Sequence, residues 1–172
     1  MIFLLPTDTC YGLAGALTRE DYKEIYRLKW RDFSKQLAIL VRDFSDLQNY
    51  IDISDTQIEH LERYPYPWSF LWARRSSYIL PDFMDPLAYT QISLRVAESC
   101  IDSHIRDEIA YPLFLTSANL TWEKESTTLK WAEWVFSWLT WYDGGICDRP
   151  PSDIFSLGDR WEIVYLRKNY AI

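Results

Sequence analysis

Ile92 to Thr116 reads ISLRVAESCIDSHIRDEIAYPLFLT. Its two ends, Ile92 to Ala97 and Leu113 to Thr116, are short apolar runs of strand length, and the segment from about Ser99 to Ile109 between them reads as a helix. Strand, helix and strand in succession are the alternation of an α/β layered domain. Arg95 stands inside the first apolar run, where a charge requires a partner. The partner is either a carboxylate of the protein or one carried by a ligand. The second run ends in Thr116-Ser117-Ala118-Asn119, three small polar side chains in four residues. Ligands of open α/β sheets sit beyond the carboxyl ends of strands, so this turn can hold a ribose, a phosphate or an amino acid. Alternatively, Ser and Asn simply bond their own backbone to make a turn.

Working outward, Ile2 to Leu5 is an apolar run that stops at Pro6, as a buried strand does at a turn. Thr18 is placed to cap a helix from about Arg19 to Lys29, with Tyr22, Ile25 and Tyr26 on one face. Leu37 to Val41 reads as a strand. Asp43 or Ser45 opens a short helix to about Tyr50, and Asp55 caps another to about Arg63, ended by Tyr64-Pro65-Tyr66-Pro67. Trp68 to Ala73 is a further strand. Thr128 to Thr140 has helical spacing, and strands are expected near Asp153 to Ser156 and Trp161 to Leu166.

With 172 residues the chain fits one domain, 1–172, large enough for a true core. No apolar run approaches the roughly 20 residues that span a bilayer, and the opening run is too short for a signal peptide, so a cytoplasmic protein without membrane contact is expected. Cys10, Cys100 and Cys147 are widely spaced and include no CxxC pair, which points away from a disulfide framework or a zinc site. His60 and His104 are read as helix residues, so no protein-held metal site is expected. The net charge of −7 argues against a broad grip on nucleic acid but leaves room for a locally basic pocket. Lys29, Arg31 and Lys35 form such a cluster at a helix end. Cations there also have a simpler reason, since they complement the helix dipole.

Pro6-Thr7-Asp8-Thr9-Cys10-Tyr11-Gly12-Leu13 resembles the PT(D/E)TVYGL signature of the YrdC/TsaC threonylcarbamoyl-adenylate synthases, and later segments follow in that family's order. Leu28-Lys29-Trp30-Arg31 is similar to LKxR, Ser34-Lys35 to the lysine block after it, and Tyr64 to Leu71 to WPGPxTxx. Ser93 to Val96 is similar to xxxRV, Leu115 to Leu120 to (S/T)(T/S)SANLS, Pro151-Ser152 to the late PS motif and Leu166-Arg167 to the terminal xR. The resemblance implies a YrdC-like fold, a twisted mixed sheet flanked by helices with a concave ligand cleft. It implies a nucleotidyltransferase that joins L-threonine, bicarbonate and ATP as threonylcarbamoyl-AMP and releases pyrophosphate. The product would pass to a downstream tRNA threonylcarbamoyl transferase, and a weak RNA contact is an added expectation.

By the same resemblance Lys29, Arg31 and Lys35 are the catalytic cations that neutralise the triphosphate, with Mg²⁺ accompanying ATP. Thr116, Ser117, Asn119 and Arg167 contact the nucleotide. Thr7 and Ser152 contact threonine, and Arg95 takes its carboxylate, a task suited to the guanidinium fork. Tyr11 either walls the threonine pocket or packs in the core. The family has glycine where Trp30, Trp122 and Tyr66 stand here; Asp32, Asp153 and Asn169 also depart from it. With 9 Trp and only 5 Gly, against a usual Gly share of about 7%, two explanations stand open for the tryptophans. They are genuine, with Trp131, Trp134, Trp138 and Trp141 forming an aromatic core, or UGA codons read as glycine in the source are rendered as tryptophan. An RNA-binding module and a catalytically impaired relative are the rival functions.

Overall fold

The computed structural model describes residues 1–147, 149–158 and 162–170. Its strands are β1 (Phe3–Pro6), β2 (Tyr11–Ala16), β3 (Ala38–Val41), β4 (Trp68–Ala73), β5 (Gln91–Val96), β6 (Leu113–Ser117), β7 (Thr140–Trp141), β8 (Asp153–Leu157) and β9 (Ile163–Arg167). Among the described residues they form one mixed sheet in the order β7-β1-β2-β6-β3-β5-β4-β8-β9. The pairs β1–β7, β3–β5 and β4–β8 are parallel and the others antiparallel.

Side chains alternate between the faces of each strand, and here the two faces differ in kind. Leu13, Ile39, Phe70, Leu94, Phe114 and Phe155 are all fully or almost fully buried on one face. They pack beneath helices α1 (Arg19–Lys29), α2 (Asp55–Glu62), α5 (Leu129–Val135) and a 3-10 helix (Phe44–Asn49). On the opposite face, Leu5, Ala14, Leu40, Leu113 and Leu115 are covered by the short helices α3 (Ala97–Cys100) and α4 (Ser103–Glu108). These two helices cover only part of that face. The rest, carrying Gly12, Ala38, Ser69, Ser93 and Arg95 at the same alternating positions, is the wall of a cleft.

Helix α1 matches its expected bounds. The Thr18 hydroxyl accepts from the Asp21 N–H at 3.2 Å, and Tyr22, Ile25, Tyr26 and Leu28 are buried on one face; Ile25 and Leu28 each contribute roughly 1.5–3 kcal/mol by leaving water. At the other end the Arg31 N–H donates to the Tyr26 carbonyl at 3.0 Å and the Trp30 N–H to the Arg27 carbonyl at 3.3 Å. These two bonds are a Schellman cap, with Trp30 in the left-handed position at φ 52 and ψ 44.

Several expectations are corrected. Ser54, not Asp55, caps α2, in a reciprocal box with Gln57. The single helix expected over 99–109 is two, because Ile101 adopts extended backbone and Asp102 starts α4 by accepting from the His104 N–H. Helix α5 stops at Val135, where Phe136 leaves helical geometry (φ −128) and its ring enters the core. Trp131, Trp134, Trp138 and Trp141 do not form an aromatic core; they are 52%, 76%, 65% and 48% exposed. Strand β2 was not anticipated, since Gly12, Ala14 and Gly15 are poor strand formers. A β-carbon at position 12 would come within 2.7 Å of Leu115 Cδ1 and 3.1 Å of the Thr116 carbonyl oxygen, so glycine lets β2 and β6 pack closely there.

Candidate ligand cleft

The open part of the sheet face bounds a cleft of about 670 Å³, in the size range of small-molecule sites. Its floor comes from β5, β6 and the β1–β2 turn. Its far side comes from β4, β8 and β9, and its rim from segments 124–127 and 149–151. Five cationic side chains, Arg31, Arg95, Lys124, Arg149 and Arg167, line it against one carboxylate, Glu125. In a chain of net charge −7, that concentration favours an anionic ligand.

Arg95 is 7% exposed. Its Nη2 donates to Asp8 Oδ1 at 2.6 Å, while its buried Nε has no hydrogen-bond partner. Burial disfavours the guanidinium charge, but the Asp8 carboxylate beside it offsets that cost and holds the group charged. The partner sought in the sequence is thus a protein carboxylate, and the paired guanidinium still lines the cleft. Thr7 bends the turn that delivers Asp8: its hydroxyl donates to the Cys10 carbonyl at 2.7 Å and accepts from the N–H groups of Thr9 and Cys10. Across the cleft, Arg167 donates through Nε and Nη2 to the Ser152 carbonyl at 3.0 and 2.7 Å, and Ser152 Oγ lies 3.3 Å from Ser69 Oγ.

Lys29 behaves differently from Arg31. Its side chain is 1% exposed, and Nζ donates to the carbonyls of Ser117 and Asn119 and to Asn119 Oδ1. Asn119 Nδ2 in turn donates to the Leu120 and Glu123 carbonyls at 2.9 and 2.7 Å. Lys29 and Asn119 therefore staple the end of α1 to the turn after β6 and do not reach the cleft wall. Burial and the nearby Arg31 lower the Lys29 amine to about 7. Arg31, half-buried, donates to the carbonyls of Lys35 and Gln36 and lines the cleft.

Thr7, Arg95, Thr116, Ser117, Ser152 and Arg167 are likewise on the wall, so seven of the eleven residues singled out from the sequence share one cleft. Lys35 is exposed and lies off the wall. Tyr11 is fully buried, with its hydroxyl bonded to Asp143, Gly144 and Gly145, and burial raises it to about 12; packing is its place. Asp8, Lys124, Glu125 and Arg149 were not singled out. Asp8 lay inside the quoted motif, whereas nothing in composition or spacing marks the other three. Cys10 lines the cleft as a thiol, its value raised by burial, and no cluster of three metal-ligating residues occurs among the described residues.

The family model described as Telomere recombination, named for Sua5, YciO and YrdC, matches residues 1–164. The chain belongs to that family. A Methanocaldococcus jannaschii protein is 30% identical over 130 residues, 74% of this chain and 59% of its own length. A Vibrio vulnificus protein named threonylcarbamoyl-AMP synthase is 27% identical over 132 residues, 73% of this chain and 68% of its own; the M. jannaschii protein carries the same name provisionally. The crystal structure of P. abyssi Sua5 complexed with L-threonine superimposes with a TM-score of 0.76 at 21% identity, covering 96% of this chain and 49% of that one. The chain thus spans 59% of the first relative and about half of the solved structure. The fold expected from the sequence, an open twisted mixed sheet flanked by helices, is the one present.

Proposed function

We propose that the cleft binds L-threonine and ATP and joins them through bicarbonate, forming threonylcarbamoyl-AMP and pyrophosphate. The observation that carries this reading is the cationic wall, five to one, on the open face of a family sheet whose relatives bear that activity name. The threonine bound by the P. abyssi protein supports the amino-acid half.

In this reading the threonine amine attacks carbon dioxide derived from bicarbonate, loses a proton and becomes a carbamate. A carbamate oxygen then attacks the α-phosphorus of ATP, and the bond from that phosphorus to the bridging oxygen breaks as pyrophosphate leaves. Such a reaction needs no protein nucleophile; it needs the reactants held in line and the phosphate charge neutralised. Arg95 would take the threonine carboxylate where its guanidinium lines the cleft, with Thr7 and Ser152 beside it. Arg31, Lys124 and Arg167 would face the phosphates, with Thr116 and Ser117 as hydrogen-bonding partners. Lys29 and Asn119 would act by holding that turn in place, and Lys35 would contribute only long-range charge.

Mg²⁺ commonly binds through substrate phosphates and one or two carboxylates. The wall, with Glu125 as its one carboxylate, fits that pattern. The ion would be held by ATP with Glu125, and it would supply charge neutralisation at the phosphates. The product would serve a transferase acting on tRNA. Three widely spaced cysteines with no CxxC pair agree with a reducing cytoplasm, and no described helix is long and apolar enough to cross a membrane.

Threonine-dependent exchange of labelled pyrophosphate into ATP, in the presence of bicarbonate, tests the reading. Exchange that requires all components supports it. Folded protein that neither exchanges nor binds threonine in calorimetry contradicts it.

A further inference from the structure

The Schellman cap of α1 places residue 30 in the left-handed region, where a β-carbon clashes with the neighbouring carbonyl and glycine does not. Trp30 is the only non-glycine residue there among the described residues, and Gly145, at φ 70, is the described glycine with the same sign. The strain brings little in return, because Trp30 is 75% exposed. Its ring meets Trp122, itself 68% exposed, edge-on at 6.3 Å.

The two loops that bear these rings are one unit. The Thr121 N–H and hydroxyl both donate to the Lys29 carbonyl, at 3.3 and 2.7 Å, and Lys29 Nζ holds the turn before Thr121. Arg31 follows Trp30 directly and Lys124 lies two residues past Trp122; both line the cleft. The indoles themselves lie off the cleft wall, on the two joined loops that carry these cations to it. The chain as a whole has 9 Trp and only 5 Gly.

We propose that this end of the cleft works with glycine at positions 30 and 122, encoded by UGA read as glycine in the source, and that the two indoles weaken binding of a nucleoside triphosphate. The inference rests on the nucleotide reading above. It is made for these two positions because their loops carry Arg31 and Lys124 to the cleft.

The test is calorimetric titration of the full chain with ATP, and separately with L-threonine, as it stands and as the Trp30→Gly/Trp122→Gly and Trp30→Phe/Trp122→Phe variants. The glycine pair is expected to bind ATP about tenfold tighter and threonine within about twofold of the parent, with the phenylalanine pair no tighter than the parent. Trp30→Gly should melt no lower than the parent, which separates relief of strain from loss of fold. Codons 30 and 122 should read UGA. UGG at either codon overturns the proposal. So does ATP affinity that stays equal or falls in the glycine pair; a fall would mark the indoles as a stacking platform for the base. Threonine binding without ATP binding in every form also overturns it, whereas loss of both ligands in every form sinks the reading on which it rests.

Discussion

The Arg95 side of the cleft and the Arg31 side are built on opposite plans. The side chains of Arg95 and Asp8 are 9% and 13% exposed and meet at 2.6 Å inside the protein, so charge there is fixed before any ligand arrives. Around Arg31 and Lys124 the cations reach the wall from loops, and the rigid element is Lys29, which is buried and spends its donors on the turn after β6. One side offers a preorganised, ion-paired guanidinium on the cleft wall. The other offers an electrostatic rim held in place by a staple beneath it.

The largest effect should come from Asp8→Ala, which leaves a buried guanidinium without its counter-charge. A loss of about 3–5 kcal/mol is expected in urea denaturation; a loss under about 1 kcal/mol would mean that the pair is not the anchor of that side. Next is Lys29→Met, which strands the acceptors at Ser117 and Asn119 and should cost roughly 1–3 kcal/mol. Its pH signature is separate. The folded amine sits near 7, below the roughly 10.4 of an unfolded lysine, so the unfolded state binds more protons between those values and stability rises with pH across that window. Melting temperatures at pH 6.5 and 9 should diverge in the parent, by this contribution, and not in Lys29→Met.

A smaller effect belongs to Arg31→Ala. Stability should change by less than about 0.5 kcal/mol, while ATP affinity falls about tenfold, threonine affinity holds, and the loss shrinks as salt is raised. Equal losses for both ligands would erase the distinction between the two sides. The smallest is Lys35→Ala, for which calorimetry should find ATP affinity within about twofold of the parent, since an exposed cation off the wall is screened by solvent.

The strands on either side of the segment after Arg95 and the bounds of α1 were legible in the sequence because each rests on local periodicity or a local cap, and the order of the motifs because it resembles a family's; the break at Ile101 between α3 and α4 carries no such signal. The Arg95–Asp8 pair joins residues 87 apart and the Lys29–Asn119 staple residues 90 apart, and no local pattern reports which way a side chain turns. Lys29 and Arg31 sit two residues apart at one helix end, yet one points inward and the other to the cleft. Strand β2 carries no strand signature in the sequence, because Gly12, Ala14 and Gly15 stand where β-branched or aromatic residues usually mark a strand. Lys124, Glu125 and Arg149 reach the rim from irregular segments, where periodicity carries no signal.

The most direct measurement is mass-spectrometric detection of threonylcarbamoyl-AMP after incubation with L-threonine, bicarbonate, ATP and Mg²⁺. The product should appear only when all four are present, more strongly in the Trp30→Gly/Trp122→Gly form, and should fall in Arg31→Ala. Its absence from both the parent and the glycine form, with each protein folded by its melting curve, would contradict the account.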